Sequence, residues 1–203
     1  MMSYKKCNDD NVSNAKKILE SELKKSLVRG GYEELFFDDL LKMWLCDAIS
    51  PEVVLRELRV LEGLDRPLME VNGDEPIAIW LGSGESFEPD TYLNRSPSAT
   101  KSATQFTKEN SPLKGLWHKH YFVNQEYFLK NNIENQRKRY RDFNFNPLGA
   151  MVVRVAEGKV TGEWIVFNRE GDRNCYLCLA KHAEGDEAIF ERMKKAGALK
   201  DAI

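Results

Sequence analysis

The sequence predicts an α+β fold in which an N-terminal three-helix segment is followed by an antiparallel β-meander flanked by helices. Apolar residues recur at helical spacing through the first 65 residues, whereas β-branched and aromatic runs separated by short turns dominate after residue 147. With 203 residues, 42% of them hydrophobic and 31% charged, the chain can bury a substantial core. We expect a helical segment at 1–75, a short strand and long polar loop at 76–112, and an α+β domain with an antiparallel sheet at 113–203.

The first 65 residues contain three predicted helices, at about 13–29, 32–48 and 51–63. Gly30-Gly31 ends the first helix, and Ser50-Pro51 supplies an N-cap and a proline at the first helical position of the third. The inward-facing apolar positions are Leu19, Leu23, Leu27, Phe37, Leu40, Leu41, Trp44, Val54, Leu58 and Leu61. A three-helix array suggests DNA reading, but the segment is acidic, which opposes docking on phosphate.

The middle and the second half of the chain change from polar loop to helix and strand. Residues 76–81 are a short apolar run typical of a buried strand, and 82–112 form the long polar loop that is the candidate domain boundary. The later elements are a helix at 124–141, strands at 150–156, 162–168 and 174–182, and a final helix that Asp186 caps, that buries Ile189, Met193 and Ala196, and that ends at Gly197.

Charge is distributed unevenly although the net charge is only −2. Residues 1–100 carry 12 Lys/Arg against 19 Asp/Glu, whereas residues 101–203 carry 18 against 13. One interpretation is an ordinary solvated surface. The other is that the basic C-terminal half faces RNA or another phosphate-bearing ligand, while the acidic helices face a protein partner.

The segment Trp117 to Phe122 holds two of the three histidines, one residue apart. If it is extended, His118 and His120 point to one face of a strand, and Trp117, Lys119 and Tyr121 point to the other. On a helix the two histidines would diverge. The same alternation in the strand at 174–182 places Tyr176, Cys178, Ala180 and His182 on one face.

These residues suggest a metal-independent ribonuclease or phosphodiesterase in which histidines act as general acid and base. The 2′-hydroxyl of RNA is an internal nucleophile, so the protein must supply a base, an acid and cations, with aromatic rings to stack a base. The predicted catalytic residues are His118, His120, His182, Lys119 and Tyr176. The predicted substrate-binding residues are Trp117, Tyr121, Arg137, Arg141 and Lys181. The purely structural interpretation makes the aromatic residues core and the basic run a solvated helix end.

A zinc site is the second chemical alternative, since Cys175 and Cys178 are spaced as CxxC and His182 follows them. On a regular strand residues i and i+3 point to opposite faces, which favours Cys178 as a small buried residue, and we expect no metal and no cofactor. The sequence has no phosphate-binding loop, dinucleotide fingerprint, HExxH or Gly-x-Ser-x-Gly elbow.

Over residues 113–197, the order of a helix, three antiparallel strands and a terminal helix resembles that of small bacterial endoribonuclease toxins of the barnase and RelE type. The resemblance is one of topology, and no family motif matches residue by residue. It implies a toxin-like ribonuclease. The alternative function is a non-catalytic interaction protein whose acidic helices bind a partner. The polar N-terminus, the lack of any run of about 18 apolar residues and the few cysteines predict a cytoplasmic protein without a membrane span.

Overall fold

The computed structural model describes residues 9–47, 49–64, 100, 102–123, 134, 138 and 162–199. Within them lie helices α1 (Asp9–Ser26), α2 (Glu34–Leu45), α3 (Glu52–Leu61) and α4 (Asp186–Lys195), and strands β1 (Gly31–Tyr32), β2 (Thr104–Gln105), β3 (Trp117–Tyr121), β4 (Glu163–Glu170) and β5 (Arg173–Ala180). These elements confirm the predicted α+β class.

Helices α1 to α3 bury the faces that their apolar spacing predicts. Leu19 and Leu23, one turn apart on α1, are 1% and 0% exposed, and Leu40 of α2 and Leu58 of α3 are fully buried. The helices cover one face of the sheet, where their apolar side chains form one core with Tyr121, Ile165, Phe167, Tyr176 and Leu179. The described part of the N-terminal segment and the sheet therefore share a core.

The sheet is mixed, which corrects the predicted antiparallel meander. Its strand order is β1-β5-β4-β3-β2. Strands β2 to β5 pair antiparallel with one another, but β1 pairs parallel with β5. The two residues of β1 follow α1 after a four-residue connection, and the next backbone N–H, that of Glu33, donates to the carbonyl oxygen of Tyr176 at 2.9 Å. The helical segment thus supplies an edge strand.

A β-bulge interrupts the pairing of β4 with β5. Val166 pairs with Cys178 but the next residue, Phe167, pairs with Tyr176, so that Leu177 is the extra residue. As a result, Tyr176 faces the helical layer, while Leu177 and Cys178 both pack on the other side of the sheet. The strict alternation predicted for 174–182, which placed Tyr176 and Cys178 on one face, is therefore wrong.

The second face of the sheet packs against α4. Ile189 and Met193 of α4 are fully buried there, as the sequence predicts. Ala196, predicted to face inward, is exposed. Asp186 is not the N-cap; Gly185 holds that position, and Asp186 Oδ2 instead accepts a hydrogen bond from the Ser111 hydroxyl at 2.6 Å.

Several predictions lie outside the described residues, namely the strands at 76–81 and 150–156 and most of the loop at 82–112. Of the predicted helix at 124–141, only Glu134 and Lys138 are described, and both are helical. The predicted domain boundary stays a prediction. None of the helices in the described ranges has the length and apolar character needed to cross a membrane.

Candidate functional site

The extended conformation of β3 places His118 and His120 on the same face of the sheet, away from α1 to α3. Pairing with β4 sets His120 opposite Trp164. The ring centroids of His118 and His120 are 5.5 Å apart, and that of His118 is 5.1 Å from that of Trp164. Phe106 closes the outer side of His118, with ring centroids 4.6 Å apart.

The third histidine joins them from β5. Trp164 pairs with Ala180, so His182, two residues further on, extends past the end of β5 beside the Trp164 ring. Its ring centroid lies 4.6 Å from that of Trp164 and 6.4 Å from that of His120, with the two imidazoles inclined by 21°. All three histidines of the chain therefore converge around one tryptophan, and we call His118, His120, His182 and Trp164 the histidine cluster.

Hydrogen bonds orient two of the imidazoles. His120 is 5% exposed, and its Nδ1 lies 2.9 Å from the carbonyl oxygen and 3.2 Å from the amide nitrogen of Gly162. An unprotonated Nδ1 accepts from the Gly162 N–H, whereas a protonated Nδ1 donates to the Gly162 carbonyl and leaves on Nε2 the lone pair that a general base needs. His118 Nε2 lies 3.0 Å from the Thr104 hydroxyl. His182 is exposed, so the cluster extends from a buried ring to the surface.

Glu163 connects the cluster with the opposite side of the sheet. Its half-buried carboxylate accepts a hydrogen bond from the backbone N–H of His182. Burial raises the pKa of Glu163, although the His182 N–H and the charges of His182 and Lys181 act in the opposite direction. Because the neighbouring groups only partly offset the effect of burial on its pKa, the Glu163 carboxylate is a candidate acid or ligand-binding group.

Lys119 lies on the opposite side of the sheet from the histidines. Its side chain is 3% exposed, and its Nζ is 3.0 Å from the Glu57 carboxylate and 2.6 Å from the Thr100 hydroxyl. Burial lowers the pKa of Lys119, and the adjacent Glu57 opposes that change. The structure thus places Lys119 in a buried ion pair between β3 and α3, and it does not bring this cation to the cluster.

Tyr176 is also separated from the histidines. It is fully buried in the helical layer because of the bulge in β5, and its hydroxyl donates to Glu62 Oε1 at 2.7 Å. Burial and the Glu62 carboxylate raise its pKa, so the hydroxyl stays protonated. Its contacts are those of a core residue.

The predicted substrate-binding residues are also dispersed. Trp117 packs on the helical side, with the Arg169 guanidinium carbon 4.6 Å from its ring centroid. Tyr121 is 5% exposed on that same side, whereas Lys181 is exposed next to His182. Arg137 and Arg141 lie outside the described residues.

The bulge also changes the geometry of the two cysteines. Cys175 and Cys178 both contact the core on the α4 side, rather than pointing to opposite faces. Burial raises the pKa of the Cys178 thiol to about 12, and Cys175 Sγ lies 3.8 Å from Glu33 Oε1. Within the part of the chain that the structure describes, no group of three or more His, Cys, Asp or Glu side chains is placed to hold a metal ion.

Sequence reasoning missed Trp164, Phe106, Gly162 and Glu163, which complete the site. Residues 162–168 are recognisable as a strand, but nothing local indicates that this strand pairs with β3 in the register that sets Trp164 opposite His120. Alternation along β4 is the sequence signal that indicates the face of Trp164, because Trp164 and Val166 share one face and Ile165 and Phe167 share the other.

Comparison with known proteins adds no functional assignment: no protein-family model, no curated protein and no solved structure matches this chain.

Proposed function

We propose that the protein is a metal-independent ribonuclease, or a related phosphodiesterase, that acts through the histidine cluster. The observation that supports this proposal is the convergence of all three histidines on one face of the sheet, with ring centroids 5.5 and 6.4 Å apart for adjacent pairs. An imidazole acts as a base when it is neutral and as an acid when it is protonated. A neutral ring and a charged ring are the base and acid that phosphodiester cleavage needs.

His120 is the proposed base and His182 the proposed acid. His120 accepts the proton of the 2′-hydroxyl while that oxygen forms a bond to phosphorus. The bond from phosphorus to the 5′-oxygen breaks, and the 5′-oxygen takes a proton from His182. The products are a 2′,3′-cyclic phosphate and a free 5′-hydroxyl. His118, held near Thr104, lies beside His120 and orients the phosphate.

The aromatic and cationic residues of the proposed site are assigned from their positions beside the histidine cluster. Phe106 and Trp164, with ring centroids 5.5 Å apart, offer aromatic faces on the histidine side for an unstacked base, in place of Trp117 and Tyr121. Lys181, which is exposed next to His182, is a proposed phosphate ligand, and Arg137 and Arg141 remain predicted phosphate ligands. RNA as the partner, toxin-like action and a cytoplasmic location belong to the same proposal.

Cleavage of labelled RNA and single-stranded DNA, with and without EDTA, tests this proposal. We expect RNA to be cut in EDTA and DNA to stay intact, because DNA lacks the 2′-hydroxyl. Loss of the acid–base pair in a His118→Ala/His120→Ala variant should lower the rate by roughly 10²- to 10⁴-fold. Lys194→Ala, on an exposed face of α4, is the matched control and should keep full activity. Metal-dependent cleavage, or full activity in the double variant, would contradict the mechanism.

The alternative, a non-catalytic interaction protein, would need a surface on the acidic helices. In the described ranges the large apolar side chains that stay exposed are Ile18, Val28, Tyr32 and Leu64, whereas the apolar faces of α1 to α3 are buried against the sheet. The structure gives this alternative no specific support. Absence of RNA cleavage at high enzyme concentration would favour it, and a partner search with the full chain would follow.

A further inference from the structure

A cleft of about 610 Å³ opens at the end of the sheet where the histidine cluster lies, between α2 and the strand ends. Its volume is within the range of small-molecule sites. Tyr121 and Glu163 form its inner wall, and its apolar lining consists of Met43, Ile49, Val123, Leu179 and Ala180. We call it the Tyr121 cleft.

The partly buried charges of the Tyr121 cleft are mainly negative. Asp39, Glu163 and Glu184 are half-buried, and Arg192 is the half-buried cation that faces them. Arg192 is shared, since its guanidinium lies 2.6 Å from Asp39 and 2.9 Å from Glu184. The other charged side chains of the wall are exposed at its rim: Lys42, Asp47 and Lys181. The guanidinium thus pairs with two of the three half-buried carboxylates, and Glu163 has no ion pair with it.

The protein only partly stabilises the ionised form of the carboxylates in the Tyr121 cleft. Burial raises the pKa of Asp39, although its hydrogen bond and ion pair with Arg192 oppose the change. Burial likewise raises the pKa of Glu163. An added positive charge between these groups would therefore be stabilised.

Tyr121 supplies an independent indication of a ligand. The residue is 5% exposed and lines the cleft, and its hydroxyl makes no hydrogen bond to any residue in the described ranges, so that the hydroxyl can bond a molecule bound in the cleft. Burial raises its pKa, and the carboxylates of Glu163, Asp39 and Asp47 add to that rise, so these carboxylates surround a protonated hydroxyl. The hydroxyl oxygen can accept a hydrogen bond from a cationic N–H group.

We propose that the Tyr121 cleft binds a small organic cation. Its ammonium group lies against Glu163, Asp47 and the Tyr121 hydroxyl, and its apolar part lies against Met43 and Ile49. The Tyr121 cleft opens on the helical side of the sheet, whereas the histidine rings lie on the other face, and Glu163 and Lys181 border both sites.

Binding of 4-fluorobenzylamine to the full chain, followed by fluorine NMR, tests the proposal, with 4-fluorobenzyl alcohol as the uncharged match. We expect saturable binding of the amine and at least about tenfold weaker binding of the alcohol, because a hydrogen bond to a charged group is worth about that factor. Glu163→Gln should weaken amine binding by about tenfold and Tyr121→Phe by about fivefold.

Three controls separate this site from folding defects and from the ribonuclease proposal. Asp47→Asn is a second, exposed variant that should also weaken amine binding, whereas Glu191→Gln on the outer side of α4 should not. His120→Gln should leave amine binding unchanged, since the His120 ring is on the other face. Equal affinity for amine and alcohol, unchanged binding in Glu163→Gln and Asp47→Asn, or no saturable amine binding at millimolar concentrations would each overturn the proposal.

Discussion

Replacing Glu62 with glutamine should strongly destabilise the protein, because this carboxylate joins three parts of the chain. Glu62 is 8% exposed, and its Oε2 accepts hydrogen bonds from the backbone N–H groups of Val28, Arg29 and Gly30 at 3.2, 3.0 and 2.9 Å. These successive N–H groups follow α1, so the carboxylate fixes the exit of that helix. Gly30 permits the close approach, since a Cβ there would lie 2.9 Å from the carbonyl oxygen of Asn174.

The other oxygen of Glu62 faces two further donors. Oε1 accepts from Asn174 Nδ2 at 3.2 Å and from the Tyr176 hydroxyl at 2.7 Å. A glutamine keeps one oxygen but turns an NH₂ group toward donors on the other side, and all the bonds lose the assistance of the charge. Since a hydrogen bond to a charged group contributes roughly 1.5–3 kcal/mol, we expect the free energy of unfolding of Glu62→Gln to fall by about 2–4 kcal/mol.

Urea unfolding at neutral pH, followed by circular dichroism, measures this loss. The matched control is Glu191→Gln, an exposed carboxylate of α4, whose change should stay within about 0.5 kcal/mol. Tyr176→Phe removes one of the donors and should lose about 1.5–3 kcal/mol. A loss below about 1 kcal/mol in Glu62→Gln would refute the claim that this carboxylate holds the helical layer to the sheet.

The effect of Glu62 should depend on pH in a definite direction. Burial alone would raise the pKa of Glu62, but hydrogen bonds from the Arg29 N–H, the Tyr176 hydroxyl and the Gly30 N–H together lower it below the ordinary value of 4.5. A carboxylate whose pKa is lower in the folded state stabilises the fold above its unfolded pKa and loses that contribution as the pH falls through its folded pKa. The stability difference between wild type and Glu62→Gln should therefore narrow at acidic pH.

Three further predictions concern other contacts. Gly162→Ala should shift the start of β4 or lower the free energy of unfolding by more than about 2 kcal/mol, because a Cβ would overlap a carbonyl oxygen of β3. Gly31→Ala should be tolerated, since a Cβ there meets nothing within 4 Å. Urea unfolding compares the two variants. Lys119→Met breaks the buried ion pair with Glu57 and should lower the free energy of unfolding by about 3–5 kcal/mol. The double variant Lys119→Met/Glu57→Gln should lose less stability, and equal losses in the two variants would contradict the pairing. Trp164→Leu should remove the ring-current shifts of the His182 protons in NMR spectra, since the two rings lie 4.6 Å apart.

Local patterns were sufficient for β3 and insufficient for β5. Alternation along a short strand depends only on neighbouring residues, so His118 and His120 share a face in the structure as the sequence indicates. The bulge at Leu177 arises from pairing with β4, and pairing is a long-range property that the residues of β5 do not encode on their own. It moves Tyr176 into the helical layer, and no local signal anticipates it.

The burial of Lys119 likewise depends on a long-range contact that the local sequence does not show. Alternation correctly places Lys119 opposite the histidines, and a lysine on a strand is ordinarily solvent-exposed. It is buried because α3 presents Glu57 directly across from it, at 3.0 Å. The edge strand β1 likewise depends on a distant partner. Its two residues are too few to show a strand pattern in the sequence, and they form a strand only by pairing with β5.

Cleavage of one oligoribonucleotide that carries a single 2′-deoxy substitution tests whether the histidine cluster performs acid–base phosphodiester cleavage. In EDTA, we expect the all-RNA strand to be cut to a 2′,3′-cyclic phosphate and a 5′-hydroxyl, and the bond following the 2′-deoxy position to stay intact. Cleavage at the 2′-deoxy position at an unchanged rate, or products that end in a 5′-phosphate, would contradict the internal-nucleophile mechanism assigned to His120 and His182.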